Sequence, residues 1–567
     1  MIVLGTATLL QAFGFPQAAH YSLVKALHSG TARLDAFQAY SGDESYYRGH
    51  YYSNKAPGLA FLTLPLYSAL HAVGLPSGVH VLSLLGVVLP ALILFLLVRR
   101  VAEEWEPRYG TITAVTLATA TLFLPLTSLY FSHVLAACIG FGAFFVLWRE
   151  RAGPTRLGLV AAAGLLSGLA VTTEYPLALV GFAVGCYAIA RAPIVRRGLA
   201  YTVGVAAGVA PLLLYNRWAF GSFTHLSYSN LVIWRGKSGH DIVAGHQLGF
   251  HDVAAPRVSV LVELLLSPRG LLRLMPIFAL GALGIVLLYR RGKKAEALLI
   301  SGICVLILGY DTGFIEPFGG WGPGPRYLMP MLAFLAVPLA LAYRRLPLTT
   351  AALALVSLVW MVAATATEPL LPNNDATAPR VGDIANTGDW FHRVANGDFT
   401  RTVLSSAGLG HGWLAIAPFL LAVVAGVALA VLVTERQRVR RRDAEAAAAA
   451  LVGWLLAALT GNVLLRHDRF AGSSLGALAV LALLSSIVVT VVRVHRSGPI
   501  AALPAVPLLA FGVHRFGHHA GWALALAVAV FAVSLAFERR PLWAWMERQV
   551  GRAALPRRRE VPARGQP

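Results

Sequence analysis

This sequence is short of charge. Only 13% of its 567 residues are Asp, Glu, Lys or Arg, against roughly 25% in an ordinary soluble domain. Cysteine is scarcer still, with three residues. Cys138, Cys186 and Cys304 each fall inside an apolar run, which excludes a disulfide framework and a thiolate metal site and leaves them as small core residues. No P-loop and no strand-linked Gly-x-Gly-x-x-Gly is present, and GPGPR at 322–326 is too rich in proline to begin a phosphate-binding helix. The alternation of a membrane β-barrel is missing as well, and neither a soluble domain nor an internal repeat stands out.

What is there is apolar. Hydrophobic residues make up 57% of the chain, in runs of about 20 that recur from end to end, the length that crosses hydrocarbon. The pattern predicts an all-α, polytopic transmembrane helical bundle of about 16 spans. They fall near 2–18, 78–98, 111–131, 134–149, 157–172, 177–191, 198–215, 270–289, 295–312, 327–344, 348–366, 412–434, 446–465, 473–492, 499–513 and 520–537. Residues 2–15 are not preceded by basic residues, so no secretory signal is read there.

The net charge of +21 does not point to nucleic acid. Its arginines sit in short clusters at the ends of apolar runs: Arg99–Arg100, Arg149 and Arg151, Arg196–Arg197, Arg290–Arg291, Arg344–Arg345, then Arg436 to Arg442. That is the positive-inside pattern of an integral plasma-membrane protein of prokaryotic type. Parity then decides the apolar run 57–74. If it crossed, every later cluster would lie outside; laid along the outer surface as a juxtamembrane helix beginning at Pro57–Gly58, it leaves each cluster in the cytosol. The large outer loops become 19–77, 216–269, 313–326 and 367–411. Residues 16–34 read as an amphipathic outer helix. The expected organisation is a core at 1–434, additional transmembrane helices at 435–540 and a basic cytosolic tail at 541–567.

The first outer loop, 35–58, is unusually polar. It holds Asp35, Asp43, Glu44, Arg48, His50 and Lys55 among four tyrosines, Tyr46, Tyr47, Tyr51 and Tyr52. Neither water nor lipid requires that assembly. The acidic loop, then GHYYSNKAPG, an amphipathic run and a span ending in arginines resemble the GT-C superfamily of polyprenyl-phosphate-sugar-dependent glycosyltransferases, the relatives of protein O-mannosyltransferases and of the lipid A aminoarabinose transferase. TEYP at 173–176, SPRGLL at 267–272 and GGWGPGPRYLMP at 319–330 agree with it. The resemblance covers roughly 1–434. It implies a helical bundle with a cavity at the outer leaflet, and transfer of a sugar from a polyprenyl-phosphate donor to a glycan, lipid or protein acceptor on the non-cytoplasmic face. It also implies a departure: an acidic pair expected directly after the first span is replaced near Gln17 and Ala18.

The chemistry supports each role separately. The acceptor hydroxyl must lose a proton, which a positioned carboxylate takes; Asp43 and Asp35 are the catalytic candidates. The departing phosphate gains charge in a poorly hydrated site, where fixed cations count for far more than in water. Lys55 supplies a point charge and Arg326 a fork. His50, Tyr52, Glu174 and Tyr327 are further substrate-binding candidates, with Asn216 and Tyr228 weaker ones. Bland readings stand beside these: a snorkelling lysine, an interfacial arginine, an aromatic belt, an Asx-turn at Asp43. No cofactor is implied, and a divalent metal is left open. The run His240, Asp241, His246, His251, Asp252 matches no helical pair of metal ligands, and His514, His518 and His519 are no stronger. Two other classes remain: a transporter or flippase of lipid-linked saccharides, which would place charge at mid-membrane, and a non-catalytic relative.

Overall fold

A computed structural model of the chain describes residues 1–37, 43–234, 240–242, 253, 255–314, 317–320, 322–370 and 387–464. Backbone contacts divide the chain into two units, Met1–Gly472 and Ser473–Pro567. All of the second lies outside the described residues, as do the expected spans 473–492, 499–513 and 520–537, the basic tail, His514, His518 and His519.

The first unit is a polytopic helical membrane bundle. Among its described residues six helices are long and apolar enough to cross a bilayer: Val79–Trp105, Ser132–Glu150, Ile194–Phe220, Lys294–Gly313, Pro347–Ala366 and Gly412–Val433. Two bent pairs bring the number to eight if each is one span. Gly110–Thr119, Leu157–Thr173 and Leu177–Ile189 are apolar but shorter, and so is Gly58–Ala72, the helix expected to lie along the outer surface.

Several expected spans are therefore not single rods, and the breaks have local causes. The first, 2–18, is two helices, Ile2–Ala7 and Phe15–His28. Between them Leu9–Leu10 pairs with Arg401–Thr402 as a short antiparallel ladder, and Gln11 bonds Thr365 O and Thr400 Oγ1. Pro16 sits in the first turn of the second helix, and Gln17 Oε1 accepts from Gly14 N at 2.8 Å. A fresh helix start outcompetes continuation there. The run 111–131 breaks into Gly110–Thr119 and Phe123–Thr127 where Thr121 Oγ1 takes the Phe123 amide. The helix before Met275–Pro276 and the helix after it meet at 86°, and a second bend of 56° falls at Val337–Pro338. Met275, before the first proline, is pushed out of the helical region at φ −134° and ψ 62°. Val337, before the second, keeps helical angles, and the bend there falls where Pro338 removes an amide donor and its ring crowds the preceding turn.

Small residues set the tightest packing. In the pair Leu157–Thr173 and Ile194–Phe220, a Cβ at Gly168 would lie 2.4 Å from Val205 O and one at Gly204 2.0 Å from Ala161 O. The backbones touch through two Gly-x-x-x-Gly runs, 164–168 and 204–208. This seam fixes where the end of the first helix, and hence Glu174, stands.

The bundle has two chemically different ends. At one, Glu106 is held by Arg291 and Arg344, and Arg197 grips Glu150 with both terminal nitrogens at 2.7 and 2.9 Å, both side chains fully buried. Arg151 lies 3.7 Å over the Tyr187 ring. At the other end sits a small antiparallel sheet ordered His50–Ser53, Glu44–Tyr47, Leu231–Trp234, His240–Ile242. Seventeen helical steps along Ser132–Glu150 separate His133 from Glu150, about 26 Å at 1.5 Å per residue, close to the thickness of a hydrocarbon core.

Candidate active site

The loop that dominates the sequence folds as a hairpin, and the hairpin does the first piece of positioning. Glu44–Tyr47 pairs with His50–Ser53 in register Glu44 to Ser53 through Tyr47 to His50. The two turn residues, Arg48 and Gly49, both have positive φ, 50° and 85°, the twist-matched geometry of a two-residue hairpin turn. One step beyond the paired residues, Asn54 N reaches Asp43 O at 3.4 Å. Asp43 and Asn54 thus face each other across the open end, and Lys55 follows. Lys55 Nζ lies 3.0 Å from Asp43 Oδ2, with side chains only 12% and 25% exposed.

The second piece is a close approach. Gly58 opens the juxtamembrane helix directly against the end of the Leu157–Thr173 helix, where a Cβ would meet Thr172 O at 2.8 Å and Thr173 Cα at 2.7 Å. Only a residue without a side chain allows this contact, and it sets Lys55 beside the tip that carries Glu174. Tyr228 links the two, its ring 6.0 Å from Lys55 Nζ and 6.0 Å from the Tyr175 ring.

The third piece comes from the Gly-Pro loop. Gly319, at φ 73°, curls so closely around Arg326 that a Cβ would lie 2.6 Å from its Nε. Arg326 is buried, 4% exposed, with its guanidinium 5.1 Å from the Phe131 ring and 5.6 Å from that of Tyr327. Arg269, from SPRGLL, donates to Gly320 O at 2.6 Å and braces the same loop.

Glu174 completes the group. His133 Nδ1 lies 3.1 Å from its Oε1, and Ser132 Oγ donates to the same oxygen. His20 Nε2 is 3.1 Å from Ser132 Oγ. The hydroxyl's one proton goes to the carboxylate, so His20 must donate to Ser132 and keep Nδ1 as a bare acceptor; that Nδ1 is buried and has no partner among the described residues. The His133 ring meets Tyr327 edge-on at 5.7 Å, which connects Glu174 to Arg326.

The electrostatics match the geometry. Burial pushes Asp43 toward its neutral form, but the Lys55 ammonium, then the Arg326 charge and hydrogen bonds from Lys55 and Asn54, hold its pKa below the ordinary carboxylate value. Glu174 behaves alike: burial opposes ionisation, while His133 and the Ser132 bond bring it to about 2. Glu44, the neighbour of Asp43, is buried with both carboxyl oxygens unpartnered among the described residues. Burial first, then the charges of Asp43 and Asp35, raise it to about 8. Burial lowers His20 to about 3 and keeps it neutral.

Of the residues singled out in the sequence, Asp43, Lys55, Arg326, Tyr327 and Glu174 come together. Asp35 and His50 do not join them; they pair with each other at 2.8 Å on the exposed rim, where Asp35 also accepts from Tyr51 N. Tyr52 is buried against Phe220, ring centroids 4.9 Å apart. His240 and Asp241 are strand residues, while His246, His251 and Asp252 lie outside the described residues. No group of three metal-ligating side chains occurs among the described residues. Sequence reasoning missed His20, Ser132, His133 and Asn54. The signal was available for two of them: Ser132–His133 is the polar tip between two apolar runs, on the same side by parity as Glu174.

The chain resembles ArnT from Cupriavidus metallidurans. The solved apo structure of that protein aligns over 90% of this chain and 78% of its own, at 15% identity and TM-score 0.44. Its structure bound to undecaprenyl phosphate aligns over the same shares at 12% identity and TM-score 0.41. No family model matches the sequence, and no curated protein does.

Proposed function

We propose that the chain is an integral-membrane glycosyltransferase of the GT-C kind, which moves a sugar from a polyprenyl phosphate to an acceptor hydroxyl at the non-cytoplasmic face. One observation carries this reading: a half-buried carboxylate, Asp43, pairs with a lysine that follows its own hairpin and is held ionised also by the charge of Arg326, about 280 residues further along the chain, beside the ends of apolar helices. Two fixed cations at that depth suit a lipid phosphate. Membrane orientation follows from the basic ends of the helices, which the positive-inside rule assigns to the cytosol.

In the resting site Asp43 is the counter-ion of Lys55 and Arg326. A donor phosphate takes those cations over, and Asp43, relieved of them, becomes a better proton acceptor. The acceptor oxygen attacks the anomeric carbon from the face opposite the phosphate. The carbon–oxygen bond to phosphate breaks, its electron pair stays on the phosphate against Lys55 and Arg326, and the acceptor proton passes to Asp43. Asp35, on the rim, acts through His50 on the hairpin.

The test is binding and turnover of undecaprenyl-phosphate sugars by the full chain in lipid nanodiscs. Lys55→Gln and Arg326→Gln are each expected to weaken binding of undecaprenyl phosphate and to slow transfer. Retention of both properties in both variants sinks the reading. The two proline-bent helices suit the flippase alternative, which product analysis separates: a flippase delivers the lipid-linked sugar with its glycosidic bond intact.

A further inference from the structure

We propose that Glu174 is the sugar-side carboxylate of this centre, an anion that accepts a hydroxyl of the transferred sugar and stabilises the positive charge that develops on its ring as the phosphate departs. The inference rests on the reading above and adds to it a sugar subsite and its selectivity.

Glu174 and Asp43 are two carboxylates in one centre with different partners, and different partners imply different jobs. Asp43 faces ammonium and guanidinium, the groups that suit phosphate. Glu174 faces an imidazole and a hydroxyl. Among the described residues its partners fall on Oε1: His133 at 3.1 Å and Ser132. The side chain is 17% exposed, so the carboxylate is fixed by one oxygen and reachable at the other. A structural buried carboxylate is expected to have both oxygens satisfied.

The surroundings suit a sugar. Tyr228 meets Tyr175, the residue after Glu174, edge-on, Tyr327 meets His133, the partner of Glu174, edge-on, and Tyr175 OH lies 3.1 Å from Ser227 Oγ. The buried Nδ1 of His20, in the same network, is an acceptor lacking a donor among the described residues. A polyhydroxylated ligand supplies such donors. Glycosyl transfer passes through an oxocarbenium-like state, and a preorganised anion outside water lowers its energy. With Asp43 and Glu174 both anionic, the subsite suits a neutral or amine-bearing pentose or hexose and repels a uronic acid.

The experiment uses the full chain in nanodiscs with undecaprenyl-phosphate donors carrying arabinose, mannose or glucuronic acid, and measures binding of undecaprenyl phosphate in parallel. Glu174→Gln is expected to lower kcat about 100-fold or more while binding of undecaprenyl phosphate stays within about threefold. Glu174→Asp recovers part of the loss, the shape of the pH profile is unchanged, and the glucuronyl donor is the poorest. The proposal is overturned if kcat of Glu174→Gln stays within about threefold of the parent, if phosphate binding collapses together with turnover, or if the glucuronyl donor is used as well as the others. If the parent protein neither binds undecaprenyl phosphate nor cleaves any donor, it is the glycosyltransferase reading that falls.

Discussion

Asp43→Asn should make the protein bind polyprenyl phosphate more tightly while it transfers sugar more slowly. The carboxylate stands 3.0 Å from Lys55 Nζ, so an incoming phosphate has to compete with it. At that distance, and with an effective dielectric constant of about 20, the Coulomb attraction is about 5 kcal/mol before desolvation is subtracted. The side chains are 12% and 25% exposed, between the surface regime, where pairs contribute about 0–1 kcal/mol, and the buried regime, where desolvation cancels much of the attraction. If a fifth to a half survives, about 1–2.5 kcal/mol, removing the competitor tightens binding on the order of 5- to 70-fold. The measurement is undecaprenyl phosphate binding to nanodisc-embedded protein, with the double variant Asp43→Asn/Lys55→Gln closing a thermodynamic cycle. In the Lys55→Gln background most of the gain should vanish. Unchanged or weaker binding by a folded Asp43→Asn protein refutes the idea that carboxylate and phosphate share one set of cations.

Three further outcomes follow from the geometry. Glu150→Gln leaves the fully buried Arg197 without its bidentate partner and should cost about 3–5 kcal/mol in thermal or denaturant unfolding; Glu150→Leu with Arg197→Met should recover most of that, and a double variant no better than the single one contradicts the argument. Glu44 has a folded pKa of about 8 against 4.5 for a free glutamate, so its stabilising protonated form is fully present below pH 4.5 and lost as pH rises toward 8. Glu44→Gln should flatten that slope in unfolding measured from pH 5 to 8, and a slope equal to the parent's counts against it. Gly168→Ala puts a methyl 2.4 Å from Val205 O, which forces two helix backbones apart. It should cost about 1–3 kcal/mol and lower turnover by shifting Glu174, whereas Gly153→Ala, with nothing within 4 Å, should be neutral.

Much of the centre was legible before any coordinates. Asp43, Lys55, Glu174, Arg326 and Tyr327 were chosen because an ionisable group beside apolar helices needs a reason to be there, and they do gather. Asp35 stood only slightly behind Asp43 in the sequence because the two share one loop and one charge. What separates them is strand register: Asp43 is one residue outside the hairpin and faces Lys55, whereas Asp35 is drawn to the rim by His50 and the Tyr51 amide. His20 and His133 were passed over because a lone histidine near an apolar run carries no periodic signal.

The sequence by itself determined that this chain lives in a bilayer, which end of each helix is basic, and that one outer loop is chemically loaded. Those properties depend on composition and on order along the chain, which hydrophobicity and the charge bias of membranes read directly. Only the tertiary structure decided that the first apolar run is two helices, that proline bends two others, and which carboxylates meet which cations. A hairpin register, a seam of two Gly-x-x-x-Gly runs and the contact of Gly58 with Thr173, 115 positions apart, make these meetings, and no local pattern encodes a contact between such distant segments.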